Sequence, residues 1–451
     1  MLSIQRNASA DLSSNKTLSG RLLRDIFSYG GVSLLRNGVA ILTLPAYVHW
    51  LSQEEFAALD ILNAVVAFFS LVIFQINVGY ARYYYEVRSE SEQHTYVSTL
   101  FWTYLVASGA MVMLMTPIAF HVSPDVFPSI KSIDMAASLA VASFLPLAIF
   151  EFFLINARLQ RNTRRFASYA LSETLLRAAL SVTFVMSGMG IIGYFAGAFC
   201  SIGVAMTLAL WTDRGSIGRF NASYLRRNIR FTTPTIPGVL IAYVNQYATR
   251  FILLAFVPLG QIALYAFAMK IAVVAKFMVQ ALRLGWLPTA MSQMQSIKKD
   301  SLFFVDIFTK YVVISLVFLA LTGMASPILV SILAPDSYGN ASALVPVLVA
   351  AFLISGATAI LDVGNQAAEK TYWYSIATAI GAGVGLLFLL LFIETLGIRA
   401  VAYGFLLSAS LTTFVLSLGS QRSHRIAYQA RALWALLVGL PLMALAFASV
   451  L

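Results

Sequence analysis

The sequence predicts an all-α polytopic membrane protein made of two six-helix bundles and an extra helix at the carboxyl end. Hydrophobic residues make up 59% of the 451 residues and charged residues only 11%, and the mean hydropathy is +0.81. This composition excludes a soluble globular domain. Apolar stretches of bilayer length recur along the chain. Short motifs of the first half also recur, in the same order, in the second half, which indicates an internal duplication.

The apolar segments group into two sets of six. A polar stretch over residues 1–25 lacks the apolar core and cleavage pattern of a signal peptide, so we expect a cytoplasmic tail followed by an uncleaved first helix. Six segments lie within residues 26–211, the predicted N-lobe, and six within residues 231–418, the predicted C-lobe. A basic linker over residues 212–230 joins the lobes. A thirteenth apolar stretch over residues 430–451 predicts one more transmembrane helix.

Charge alternates between successive loops. Basic loops are residues 158–166, 214–230, 296–300 and 421–425, whereas loops 51–56, 187–190 and 334–340 are short and poor in basic residues. The positive-inside rule places the basic loops and the amino terminus in the cytoplasm. An odd number of helices then places Leu451 on the opposite side. This pattern also explains much of the net charge of +11 without a nucleic-acid partner.

The duplication appears at an offset of about 206 residues. The motif FAAL after the first helix corresponds to IALY in the second half, and NVGYAR corresponds to RLGWLP. Gly190 and Ile191 correspond to Gly397 and Ile398. Because each repeat contains an even number of helices, both lobes begin on the same side of the membrane. The lobes are then related by an axis along the membrane normal, as in some secondary transporters.

Four charged residues lie nearest the middle of their predicted helices, and all four are cations: Arg36, Arg177, Lys270 and Lys276. A charge at that depth costs several kcal/mol unless it faces water or a partner, so each is a functional candidate. Neither Lys270 nor Lys276 has an acid on its own helix. Acids on neighbouring helices could still pair with them, but the set favours an anionic ligand.

The acids lie nearer the helix ends. Glu173 can pair with Arg177, and Asp306 with Lys310, because each pair is four residues apart on a helix. Such pairs could simply be structural ion pairs in a bundle interior. We therefore treat Glu173 and Asp60 as candidates for ion pairing or for coupling to protons or sodium.

The first helix of each predicted lobe carries a polar stripe with one arginine. In the N-lobe this is Arg36, and in the C-lobe the stripe contains Tyr243, Gln246 and Arg250. Two guanidinium groups facing a shared cavity would suit phosphate, because each offers a planar pair of donors and sheds water more readily than an ammonium group. Alternatively, Arg250 could extend outward to the membrane surface.

Two further arginines lie where helices leave the membrane. Arg82 follows the first two helices, and Arg283 occupies a related place in the C-lobe. Either side chain could line a cytoplasmic mouth of the cavity. Arg82 also fits the positive-inside rule without any binding role.

Several classes of protein are excluded by missing motifs. The chain has four scattered histidines and a single cysteine, Cys200, so it offers neither a metal cluster nor a disulfide framework. It contains no glycine-rich phosphate loop, no H-E-x-x-H pattern and no soluble nucleotide-binding domain. We expect a transporter that is not an enzyme and has no cofactor or metal.

Three stretches carry a resemblance to a known family: LSQEEFAALDIL at residues 51–62, YATRFILL at 247–254 and GQIALYAFAMKIA at 260–272. Over residues 22–418 the chain resembles the Wzx-type lipid-linked oligosaccharide flippases of the multidrug/oligosaccharidyl-lipid/polysaccharide (MOP) exporter superfamily. The resemblance implies two six-helix bundles facing each other in a V. It also implies a polyprenyl-pyrophosphate sugar as cargo, moved from the cytoplasmic to the periplasmic leaflet of a bacterial inner membrane.

Two features depart from the family pattern. Where the family usually has Asp-Arg in the first helix of the second lobe, this chain has Thr249 and Arg250, which removes a potential partner of the arginine. The thirteenth helix is an addition to the twelve-helix core. The resemblance also makes membrane lipids and the polymerase and assembly proteins of O-antigen or exopolysaccharide export the expected partners.

The sequence therefore predicts alternating access with a basic cavity that binds the anionic headgroup while the polyprenyl tail stays in lipid. One alternative is a cation- or proton-coupled antiporter of drugs or organic cations from the same superfamily. That cargo would require carboxylates at mid-depth, where this chain has basic residues. Another alternative is a membrane scaffold without transport, although buried charges are costly to keep without a use.

Overall fold

Helices form every regular element that the structure describes. The computed structural model describes residues 31–86, 89–293, 302–368, 370 and 372–451. The predicted polar tail, residues 1–25, lies outside them. The chain divides into two compact units, Met1–Val244 and Asn245–Leu451.

The first unit begins with the helix α1, Gly31–Trp50. The helices that follow are α2 (Gln53–Phe74), α3 (Ile76–Tyr84), α4 (Glu90–Val126), α5 (Ile133–Ala142), α6 (Phe144–Leu159), α7 (Thr163–Phe184), α8 (Gly190–Thr212) and α9 (Ala222–Thr232). The helix α10, Ile236–Phe256, contains the division between the units.

The second unit continues after α10. Its helices are α11 (Leu259–Gln293), α12 (Leu302–Leu333), α13 (Leu344–Leu361), α14 (Val363–Ala367), α15 (Tyr372–Leu396), α16 (Ile398–Ser423), α17 (Ala430–Trp434) and α18 (Leu440–Val450). A π-helical turn, Ala435–Gly439, joins the last two. The run Ala430–Val450 is helical and long and apolar enough to span a membrane, and the Phe447 ring lies against Gly323 of α12.

Within the described ranges, ten helical runs are long and apolar enough to cross a membrane, or eleven if the bent pair α2 and α3 forms one span. One of them, Thr163–Thr212, contains both α7 and α8. Gly193 packs on Phe184 and Gly197 on Ser181, so these two helices run antiparallel on either side of a corner at Gly190. The predicted polytopic all-α fold is confirmed.

The duplication is visible in the backbone. Gly190 has φ 57° and ψ −141°, and Gly397, at the corner between α15 and α16, has φ 54° and ψ −132°. Few L-residues adopt this conformation, so glycine is required at both corners. The Glu55 carboxylate accepts a hydrogen bond from the Ile191 amide, at 3.0 Å, beside Gly190. Gln261, related to Glu55 by the repeat, places its side-chain oxygen against Gly397.

Replacing Gly190 by alanine should therefore destabilise the first unit. An added methyl group would meet the Glu55 carboxylate, and the backbone would be strained. We expect a loss of about 1–3 kcal/mol, measured as a lower thermal unfolding temperature of the purified protein in detergent. Gly203→Ala in α8 is the matched control, because no atom lies within 4 Å of its added methyl group. Equal unfolding temperatures for the two variants would contradict this account of the corner.

Loop charge yields a prediction about orientation. We expect Asn221 to be cytoplasmic, and Asp336 and Leu451 to be periplasmic. Because Cys200 is the single cysteine, its replacement gives a background into which one cysteine can be placed at each site. Labelling of intact cells with a membrane-impermeant thiol reagent should modify positions 336 and 451 but not 221. A carboxyl terminus protected in intact cells would contradict the predicted thirteen-span topology.

Candidate functional site

Three charged side chains of the first unit converge within the membrane-spanning helices. Glu173 of α7 is only 2% exposed. Its Oε1 accepts a hydrogen bond from Arg177 Nε at 2.6 Å and lies 2.6 Å from an Nη of the same residue. Its Oε2 lies 3.6 Å from an Nη of Arg36 on α1. We call these three residues the arginine–glutamate cluster. The predicted pairing of Glu173 with Arg177 is confirmed, and the contact with Arg36 joins two helices.

The spacing of residues along α7 places Glu173 inside. The Asn162 side chain caps the helix by accepting a hydrogen bond from the Arg165 amide at 3.1 Å. Phe166, Tyr169 and Ala170 are buried, and Glu173 follows them at helical spacing on the same face. The carboxylate is therefore forced into the bundle, where it requires a cation.

Polar and aromatic groups of α1 and of two other helices, α6 and α8, lie near the cluster. The rings of Tyr47 on α1 and Tyr194 on α8 meet edge to face, with their centroids 5.1 Å apart. Both tyrosines interact electrostatically with Arg177. Glu151 of α6 interacts electrostatically with Arg36, Glu173 and Arg177. Two carboxylates and two guanidinium groups thus share one polar region.

The two arginines differ in how firmly they are held. Arg177 makes a short, hydrogen-bonded contact with Glu173 on its own helix. The Arg36 contact is longer than a hydrogen bond and depends on the packing of a separate helix. About a third of each arginine side chain, 36%, remains exposed, against 3% for the carboxylate. Arg36 therefore retains donors that it can present to another anion.

The predicted cations of the second unit lie on α11. Lys270 and Lys276 are both half-buried. Of the residues that the structure describes, none pairs with or hydrogen-bonds to Lys276. Nearer the end of α11, Arg283 donates to the Thr358 hydroxyl at 3.2 Å, and the Trp286 indole donates to a carbonyl of α13 at 2.9 Å. These contacts fix the last part of α11 against α13.

The polar stripe of α10 is only partly described. Tyr243 is 8% exposed, and its hydroxyl donates to the Ala64 carbonyl of α2 at 2.8 Å. This tyrosine therefore contributes to packing within the first unit. The Arg250 guanidinium lies 5.1 Å from the centre of the Tyr247 ring. The side chain of Gln246 lies outside what the structure describes.

The remaining candidates lie on other helices. Arg82 is 55% exposed at its side chain and lies 3.8 Å from Glu86, with its guanidinium 4.9 Å from the centre of the Phe231 ring. Asp60 is buried in α2, at 8% exposure. The predicted pair of Lys310 and Asp306 is confirmed, at 2.7 Å on an exposed face. In the described part of the chain, no three His, Cys, Asp or Glu side chains lie close enough to hold a metal ion.

No family model matches the sequence, and no curated protein matches it. The fold does match solved structures. The lipid II flippase MurJ in an inward closed conformation has a TM-score of 0.68 at 12% identity, covering 94% of this chain and 98% of MurJ. An inward-facing multidrug resistance MATE family transporter of the MOP superfamily has a TM-score of 0.67 at 14% identity, covering 86% and 94%.

An outward-facing MATE family transporter of the MOP superfamily also matches, with a TM-score of 0.57 at 13% identity, covering 89% of this chain and 94% of that one. At these identities the similarity shows the fold. The chain therefore has a MOP/MATE-like fold over nearly its whole length.

Proposed function

We propose that this protein is a flippase that moves a polyprenyl-pyrophosphate-linked oligosaccharide or polysaccharide precursor across a bacterial inner membrane by alternating access. The observation that carries the proposal is the arginine–glutamate cluster. It contains two partly exposed guanidinium groups within membrane-spanning helices, held by one buried carboxylate. Guanidinium groups bind phosphate oxygens with a planar pair of donors, and such buried charges are costly to maintain without a ligand.

Glu173 acts as an exchangeable counter-ion in this mechanism. Without cargo, the carboxylate compensates both arginines in a region of low dielectric constant. A pyrophosphate group that enters the cavity replaces it at Arg36, whose contact is the longer one. Glu173 is also the first candidate for coupling to protons or sodium. Asp60 is the second candidate for coupling to protons or sodium.

The predicted C-lobe supplies further binding groups. Lys270, Lys276 and Arg250 would contact the headgroup from that side, and Arg82 and Arg283 would line the cytoplasmic mouth. Gln246 would contribute from the polar stripe of α10, on which the Tyr243 hydroxyl donates to the Ala64 carbonyl of α2. The lobes, residues 26–211 and 231–418, would rock while the polyprenyl tail stays in lipid.

The electrical gradient favours this direction of transport. A membrane potential that is negative inside contributes about 2.3 kcal/mol per 100 mV for each negative charge that moves outward uncompensated. The solved structures with this fold include a lipid II flippase and transporters in inward-facing and outward-facing conformations. Those names support a lipid-linked cargo and alternating access. The polymerase and assembly proteins of polysaccharide export would consume the product.

One observation favours a second function, a cation- or proton-coupled antiporter of drugs or organic cations. Glu151 interacts electrostatically with Arg36, Arg177 and Glu173, and also with Arg158 at the end of α6, so a second carboxylate lies near the cluster. MATE family multidrug transporters also share the fold. An organic cation could then exchange against protons at the two carboxylates.

Transport in reconstituted vesicles separates the two functions. A fluorescent polyprenyl-pyrophosphate oligosaccharide is incorporated in both leaflets, and a membrane-impermeant quencher reports the fraction that is accessible from outside. We expect the protein to make the inner pool accessible, whereas vesicles without protein keep it protected. If instead a proton gradient drives uptake of an organic cation and the headgroup does not move, the proposed function would be that of an antiporter and not of a flippase.

A further inference from the structure

The linker helix α9 is fixed to the first unit through one face. Asn228 is fully buried, and its amide group donates to the Tyr96 hydroxyl at 3.1 Å. It fills a notch above Gly79, where any side chain would collide with it. Arg227 lies 2.6 Å from Glu86 and 4.1 Å from the centre of the Tyr83 ring. The helix is therefore docked in a fixed orientation.

The segment before α9 lies along the first turns of α4. The Gly218 amide donates to the Ser98 hydroxyl at 2.7 Å, and the Trp102 indole donates to the Gly218 carbonyl at 3.1 Å. The 37 residues of α4 extend about 55 Å, well beyond the roughly 30 Å of a hydrocarbon core. Because residues 90–95 at the start of α4 are polar, we expect the first turns of α4 and the linker beside them to lie at the level of the lipid headgroups.

The opposite face of the linker carries arginines and apolar side chains together. Arg226, Ile229 and Arg230 lie at helical spacing and are exposed, as are Arg219 and Phe220 just before the helix. Phe220 is 51% exposed and Ile229 46%. Within the described residues, none of these three arginines forms an ion pair or hydrogen bond, whereas Arg227 on the docked face does.

We infer that this face, formed by Arg219, Phe220, Arg226, Ile229 and Arg230, binds acidic phospholipids of the adjacent leaflet. Basic side chains interleaved with apolar ones are the pattern of helices that lie in the membrane interface, with the apolar groups at the acyl boundary and the cations among the headgroups. The fixed docking of α9 holds the face at headgroup level. The inference concerns bulk lipid and does not depend on which cargo the protein moves.

Native mass spectrometry of the protein released from mixed nanodiscs tests this inference. Nanodiscs contain equal amounts of phosphatidylglycerol and phosphatidylcholine, and the ratio of the two retained lipids is measured. We expect enrichment of phosphatidylglycerol that weakens at high salt. The triple variant Arg219→Gln, Arg226→Gln, Arg230→Gln should lose this enrichment, by about fivefold for each arginine if each acts independently. The triple lysine variant should keep it, because it keeps the charge.

The matched control replaces three other exposed arginines, Arg164, Arg422 and Arg425, by glutamine. It has the same net charge as the test variant and should retain wild-type enrichment. Equal loss in both glutamine variants would show a general effect of charge and overturn the inference. Equal retention in wild-type and test variants would also overturn it, as would displacement of the lipid by millimolar inorganic phosphate. A thermal unfolding curve of each variant establishes that the protein is folded.

Discussion

Replacing Arg36 by alanine is expected to lower headgroup transport by roughly thirtyfold or more, because truncating one partner of a desolvated charge contact costs about 2–5 kcal/mol. Its contact with Glu173 is the longer of the two in the cluster, so the loss should fall on cargo binding more than on folding. Arg36→Lys should also transport poorly, since an ammonium group cannot reproduce the two-point contact with phosphate.

Arg177→Ala is the matched comparison, because its side chain is equally exposed but holds Glu173 through a 2.6 Å contact. Its removal should lower the free energy of unfolding by about 2 kcal/mol, less than for a fully buried pair because the guanidinium is partly exposed. Vesicle transport and thermal unfolding are measured for both variants. A fully active Arg36→Lys protein would show that Arg36 does not bind phosphate through a bidentate contact. A parallel loss of stability in both alanine variants would make the whole cluster structural.

The double variant Lys270→Ala, Lys276→Ala should insert at a normal level and lose export of the lipid-linked sugar. Both cations are half-buried on α11, a helix long and apolar enough to span the membrane. If both lysines belong to the proposed cargo site, removing the two cations takes away attraction for a pyrophosphate that carries several negative charges. Complementation of a flippase-null strain, read beside a membrane immunoblot, measures the loss. Lys276→Arg should keep part of the activity because it keeps the charge.

Lys310→Ala provides the control for that experiment. Lys310 belongs to the same unit, but its side chain is 65% exposed and pairs with Asp306 on the surface. An exposed pair of this kind contributes little to stability, so transport and protein level should stay unchanged. Full export by the Lys270 and Lys276 double variant at a normal protein level would exclude both lysines from the cargo site.

Much of the fold could be predicted because membrane insertion imposes length and charge rules on the chain itself. Apolar stretches of bilayer length indicated where the helices lie. The internal repeat identified Gly190 and Gly397 as equivalent positions independently of their backbone angles. The Glu173 and Arg177 pair was predictable because both residues lie on one helix. Such inferences need only spacing along a single element.

Contacts between elements could not be predicted in the same way. Arg36 and Glu173 are far apart in sequence, and spacing along α1 or α7 does not show that the two helices meet. For the same reason, the electrostatic interaction of Glu151 on α6 with the cluster could not be predicted from the sequence. Tyr243 illustrates the converse, since a residue on a polar stripe makes its hydrogen bond to a packed helix within its own unit. Helical periodicity identifies which residues share one face of a helix, but it does not show which other helix packs against that face.

The docking of α9 also restricts how far the backbone between α9 and α10 can extend. The chain is held on the first unit through Asn228, and α10 begins at Ile236 after the short turn Thr233–Thr235. Three extended residues reach at most about 10 Å, and Tyr243 in α10 is itself bonded to α2. The polypeptide from Asn228 to Tyr243 is therefore bonded to the first unit at both ends and has no length to spare.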